Sequence, residues 1–253
     1  MTFLVNHPIV TFLVTVLVLW LSFLVGTVLR EHRSDMAEEE RGDYGVLLAA
    51  MLTLLGLIIG FTFSMAGTRY DQRKNLEEEE ANAIGTEYVR ADLLSTAVSE
   101  RVRGLLRRYL DQRILFYTSS GDQLREVNAT TAELQTELWK TVKTGVSTNR
   151  DCVEALAVSG MNDVLNSQGY TQAAWWNRIP IGAWVLMWAI AVCCNVMIGF
   201  YIRPRDPKSI RFIMPIVIAV AFFLIADIDS PRSGLIMVHP QNLISLAESL
   251  RLQ

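Results

Sequence analysis

Histidine is scarce in this sequence: His7, His32 and His239 are the whole set, too scattered for a metal-binding spacing. Cysteine is equally sparse. Cys152 stands alone, and the adjacent Cys193 and Cys194 lie inside an apolar run, where thiols behave as small apolar groups. No zinc spacing and no disulfide framework can be built from them, so cysteine usage carries no compartment signal. GxSxG, P-loop and GxGxxG motifs are missing, and no catalytic cluster stands in their place. The expectation is therefore a protein that is not an enzyme and that uses no cofactor. Charge of one sign is lacking too. With 23 basic against 26 acidic residues and no basic stripe interleaved with aromatics, nucleic acid is excluded as a partner. Strand-like alternation of useful length does not occur. Finally, no Lys or Arg precedes the apolar run Ile9–Leu29, which is too long for the core of a cleaved signal and has no Ala-x-Ala-like site, so it reads as an uncleaved anchor.

What is present is apolar and comes in blocks. Of 253 residues, 51% are hydrophobic, and the blocks point to lipid as the solvent for part of the chain. Residues 9–29, 46–67, 179–202 and 212–228 have the length of membrane-spanning helices, or come close to it, and no charge interrupts their main apolar runs, although Asp227 lies at the edge of the fourth. They predict an all-α, four-span integral membrane protein. Its parts are a hairpin over 1–67, a helical extramembrane body over 68–178, a second hairpin over 179–229 and a tail over 230–253. The apolar stretch Gly45–Thr68 runs straight into Arg69-Tyr70-Asp71-Gln72-Arg73, and Lys74–Arg90 is rich enough in helix formers to continue the same helix into water.

Four spans put the N-terminus, the body and the C-terminus on one side of the membrane, with connections 30–45 and 203–211 on the other. Arg30, Arg33, Arg41, Arg203, Arg205, Lys208 and Arg211 flank the connections; Arg69, Arg73, Lys74, Arg178 and Arg232 flank the body side. By the positive-inside rule this balance favours an external body.

Within the body, apolar or small residues recur at helical spacing: Ile84, Tyr88, Ala91, Val98, Val102, Leu105 and Tyr109, then Leu124, Val127, Leu134, Leu138 and Val142, then Val153, Leu156 or Ala157, and Val164. Gly121, Gly145 and Gly169 punctuate the seams. The pattern predicts three to four packed helices, with continuity into spans two and three as an option. Trp175, Trp176 and Arg178 read as interfacial anchors, with Pro180 opening the third span.

Span two holds the strongest internal pattern. Gly56, Gly60, Phe63 and Gly67 share one face, with Ser64 beside it. Such a face reads either as close helix packing or as a pore wall. Glu77, Glu78, Glu79 and Glu80 form a carboxylate run beyond the membrane, read either as a solvated face or, if several copies surround an axis, as a ring that concentrates cations. Glu38–Glu40 reads as a solvated connection. Asp227 and Asp229 close the last span and are expected to pair with Arg232 or another arginine near the membrane, or to bind an ion. Asn195, polar within an apolar run, is expected to hydrogen-bond a neighbouring helix.

The stretches Gly60-Phe61-Thr62-Phe63-Ser64-Met65, Arg69-Tyr70-Asp71, Glu80 to Thr86, Tyr88 and Arg90 to Leu94, with Asp227-Ile228-Asp229, Pro231-Arg232 and Gly234-Leu235-Ile236, resemble the bestrophin-like family of bacterial membrane proteins. More distantly the chain resembles the bestrophins, which are pentameric anion channels with a cytosolic helical body and a pore lined by the second span. That resemblance implies a pore wall along Gly56–Gly67, a neck at Phe61 or Phe63, and a place for Asp227 and Asp229 near a calcium clasp. It also implies a cytosolic body, opposite to the charge balance. The expected function is an oligomeric, pentamer-like channel of the inner membrane that passes small inorganic ions through a pore lined by span two. A non-conducting sensor or scaffold, anchored by the spans and binding a partner through its body, is the alternative.

Overall fold

The computed structural model describes residues 7–32, 38–146, 152–202 and 210–252. Arg33, Arg203, Arg205 and Lys208 of the charge balance lie outside these, as do the side chains of Glu38–Glu40 and Arg211. The helices are α1 (Pro8–Glu31), α2 (Glu38–Arg90), a 3-10 turn (Ala91–Leu93), α3 (Thr96–Thr118), α4 (Gly121–Gly145), α5 (Cys152–Trp176), α6 (Ile181–Tyr201), α7 (Ile210–Asp229) and α8 (Gln241–Arg251), with no strand among the described residues.

Among the described residues four helices are long and apolar enough to cross a membrane: α1, α2, α7 and the helical stretch whose apolar part is α6. α2 runs for 53 residues without a break. At 1.5 Å per residue that is about 80 Å, far more than a hydrocarbon core of about 30 Å needs. Span two thus continues into the body as one helix. Span three does not: α5 stops at Trp176 and α6 restarts at Ile181, with Pro180 at its N-cap.

The chain divides into two compact units, Met1–Tyr70 with Arg178–Met237, and Asp71–Asn177 with Val238–Gln253. In the first, Leu19, Leu55, Ala66, Met187, Ala191, Phe222 and Ile225 are among the buried core residues. Trp184 and Trp188 meet Phe222 edge-on at 6.1 and 5.8 Å. Inside α1 the hydroxyls of Thr15 and Ser22 donate to the carbonyls of Thr11 and Val18, so neither polar group is left unsatisfied in lipid. α1 and α6 touch backbone to backbone. A Cβ on Gly26 would fall 2.0 Å from the Val196 carbonyl oxygen, and one on Gly199 2.1 Å from that of Phe23. Asn195 is fully buried, and its amide donates to Ala191 of its own helix at 2.8 Å rather than to a neighbouring one.

The second unit buries most of the expected seams. Ile84, Tyr88, Ala91, Val102, Leu105 and Tyr109 are in its core, as are Val127, Leu134, Leu138 and Val142. On α5, Ala157 and Val164 are buried, while Val153 and Leu156 are exposed. Gly121 separates α3 from α4 with φ of +56°, a conformation that glycine adopts without strain. Gly145 ends α4, but Gly169 lies inside α5 and interrupts nothing. Trp175 does not serve as an interfacial anchor. It packs edge-on against Phe116 and Tyr117 at 5.1 and 5.2 Å, and Trp176 is the exposed one of the pair.

Candidate functional site

Because α2 is a single helix, its faces can be followed residue by residue. Arg73, Glu77, Glu80, Ile84, Glu87 and Ala91 are all buried, at spacings of four, three, four, three and four. This is one helical face, and half of it is acidic. Of the carboxylate run, Glu78 and Glu79 are exposed, whereas Glu77 and Glu80 are buried and belong to no solvated face. Glu77 accepts the Leu243 N–H at 2.9 Å and the Asn242 amide at 2.6 Å, so it caps the first turn of α8. Glu80 accepts both Nε and Nη2 of Arg113 and the hydroxyl of Thr171 at 3.0 Å. Arg113 is fully buried and lies over the Phe116 ring at 4.5 Å. Burial opposes its charge, but Glu80 outweighs burial and holds the guanidinium above its ordinary pKa. Burial, then the Glu80 charge, pushes the phenols of Tyr109 and Tyr117 well up.

Glu87 has no such partners. It is fully buried, yet neither carboxyl oxygen has a hydrogen-bond partner among the described residues. Burial, opposed by Arg90 and reinforced by Asp163, pushes its carboxyl up to about 8. The sequence held a signal for it, since Glu87 sits on the Ile84–Ala91 seam, three residues after one and four before the other.

The membrane part of α2 behaves differently. Over its apolar stretch only 11% of residues are buried, against 33% to 50% in the other membrane-length helices. Leu55, Thr62 and Ala66 turn inward. Gly56, Gly60 and Ser64 are exposed, Gly67 is half-buried, and Phe61 and Phe63 are 66% and 45% exposed. A Cβ added to Gly56, Gly60 or Gly67 would meet nothing within 4 Å. Among the described residues these three glycines are therefore not spent on close packing, in contrast to Gly26 and Gly199.

Asp227 and Asp229 hold the loop after α7. The Asp227 carboxylate accepts the N–H groups of Leu235 and Ile236 at 2.7 and 2.8 Å, and Gly234 lets the loop come that close. Asp229 accepts the Ile179 N–H at 3.2 Å, while Arg178 donates to the Asp229 carbonyl at 2.6 Å and lies 4.0 Å from its carboxylate. Both side chains are buried. The residues do not fit the calcium clasp that the resemblance implied. These carboxylate oxygens face N–H donors, and among the described residues no group of three or more His, Cys, Asp or Glu is placed to hold a metal.

Arg30 and Arg41, counted above as topology signals, also have local work. Arg30 donates to the Ile202 carbonyl, and Arg41 donates to Tyr201 O at 2.8 Å while its guanidinium lies over the Tyr201 ring. They cap the carbonyl end of α6, where positive charge complements the helix dipole.

Several solved structures are similar to this chain. A variant of a bacterial bestrophin homolog from Klebsiella pneumoniae matches with a TM-score of 0.63 at 12% identity, over 96% of this chain and 97% of that one. A second crystal structure of that homolog matches at 0.61 and 13% identity, over 95% and 98%. A variant described only as a membrane protein matches at 0.65 and 12%, over 96% of each. No curated protein matches the sequence significantly. At these identities the structural likeness speaks for the fold. The bestrophin-like domain family itself matches residues 9–243, nearly the whole chain, and this protein therefore belongs to the bestrophin-like family.

Proposed function

We propose that copies of this chain assemble as a ring in the bacterial inner membrane, a pentamer on the family's example, and pass small inorganic ions along an axis lined by α2. One observation carries the proposal: Gly56, Gly60 and Gly67 face open space, on the least buried of the four membrane-length helices. A column of small residues lets helices from several copies approach a common axis and leaves room for ions between them. In this reading Ser64 supplies a hydroxyl to the wall, and Phe61 and Phe63 form the narrow part. Glu78 and Glu79, exposed on α2 beyond the apolar stretch, are the carboxylates available to ring the mouth and draw in cations. Glu77 and Glu80 stay with the internal partners described above. Asp227 and Asp229 clamp the exit loop and do not ligate ions. The body is assigned to the cytoplasm, as in the bestrophins. Two arginines of the opposing charge balance are the caps of α6, so they report helix geometry as well as orientation.

Planar-bilayer recording of the purified oligomer under opposed salt gradients tests this reading. Conductance is expected, with a reversal potential that moves away from cations in Glu78→Gln/Glu79→Gln. A well-folded oligomer that stays silent would overturn the channel and leave a membrane-anchored scaffold.

A further inference from the structure

Glu87 takes no part in the proposed ion pathway. It is a fully buried carboxyl whose two oxygens have no hydrogen-bond partner, in a unit whose other buried acids, Glu77 and Glu80, are both bonded. An unpartnered carboxylate is costly to bury, whereas a protonated carboxyl is tolerated in such a place. The space it occupies is made by α5. A Cβ at Gly160 would lie 2.0 Å from Glu87 Oε2 and 2.8 Å from Arg90 Nη1, so the carboxyl and the guanidinium both rest over one glycine. Arg90 in turn reaches α5 through Asp163, at 3.9 Å.

We propose that Glu87 is a proton-binding switch that governs how α5 is tied to α2. With the proton on, Glu87 is neutral, and Arg90 serves Asp163 across the two helices. With the proton off, the Glu87 carboxylate competes for Arg90, three residues along its own helix, and the tie to Asp163 is given up. The proton leaves to solvent, and no other group changes state. The charged groups that act on Glu87 are Arg90 from α2 and Asp163 from α5. On the α3 side, Arg103 is engaged with Asp92 and the Tyr88 carbonyl, and Arg107 with the Tyr88 hydroxyl.

The folded state holds the Glu87 proton up to about 8, against an ordinary 4.5. Between those values the folded chain binds more protons than the unfolded one, so its stability falls as pH rises and the loss is complete above about 8.

Infrared titration of the full chain in detergent, from about pH 6 to about pH 9.5, tests this. The wild-type protein is expected to lose a protonated-carboxyl band with a midpoint near 8 that is missing in Glu87→Gln. Amide hydrogen exchange of α5, corrected for its intrinsic pH dependence, is expected to rise in the same window and to stay flat in Glu87→Gln. Asp163→Asn removes the rival for Arg90 and should shift the midpoint downward. A wild-type chain with no titrating band, a band that survives Glu87→Gln, or a midpoint unmoved in Asp163→Asn would overturn the proposal. The Asp163→Asn and wild-type measurements keep it testable if Glu87→Gln fails to fold. None of these readouts involves conductance, so a silent oligomer would sink the channel reading and leave this one standing.

Discussion

At the scale of single residues, the polar groups of this chain are distinguished by what they bond to, and sequence spacing captured only part of that. Asp227 and Asp229 were legible as a special pair because two carboxylates close an apolar run. An arginine near the membrane was expected beside them, and Arg178 stands 4.0 Å from the Asp229 carboxylate. That the two carboxylates also accept the amides of Leu235, Ile236 and Ile179 was not legible, because a backbone N–H leaves no mark in sequence. Glu77, Glu80 and Glu87 were hidden for a related reason: composition marks acids as solvated, and only the spacing they share with Ile84 and Ala91 betrays the buried face. Asp227→Asn replaces an acceptor-only group by one that can present N–H to N–H. It is expected to destabilise the chain by about 1–3 kcal/mol, read as a lowered unfolding midpoint in detergent. Calcium chelation of the wild type should leave that midpoint where it is.

Among elements, helices and their faces were readable from the sequence, but not which helix each face meets. Periodicity located the spans and the continuous α2, since nothing between Gly45 and Arg90 breaks a helix. It did not separate glycines that pack from glycines that stay open. Gly26 and Gly199 sit in featureless apolar runs, yet their missing Cβ atoms are what lets α1 meet α6. Gly56 and Gly60 carry the conspicuous GxxxG spacing, yet a Cβ at either would meet nothing within 4 Å among the described residues. Gly26→Ala and Gly199→Ala should therefore each destabilise the fold by about 1–3 kcal/mol through forced separation of backbones. Gly56→Ala and Gly60→Ala meet no such contact and should not destabilise the chain, with a gain of up to about 1 kcal/mol from relief of glycine's helix penalty. Thermal unfolding of the four variants side by side decides this, and equal losses in both pairs would contradict it.

For the whole molecule, four membrane-length helices and a helical body could be read from hydropathy and spacing, because lipid and water impose opposite compositions. Orientation could not, because the arginines that carry the signal also cap α6 at Tyr201 and Ile202. Cys152, exposed in the body unit, reports the side directly. A membrane-impermeant thiol reagent should label it only after the membrane is opened, with Cys152→Ser as the control. The central claim, that the open face of α2 is the wall of an ion pathway, is tested most directly by thiol block of single positions in a background with Cys152, Cys193 and Cys194 replaced. In planar bilayers, a water-soluble thiol reagent is expected to cut the current through Gly60→Cys, Ser64→Cys and Gly67→Cys and to spare Leu55→Cys and Ala66→Cys. Currents that ignore the reagent at all three open positions, or that respond equally at the buried ones, would contradict it.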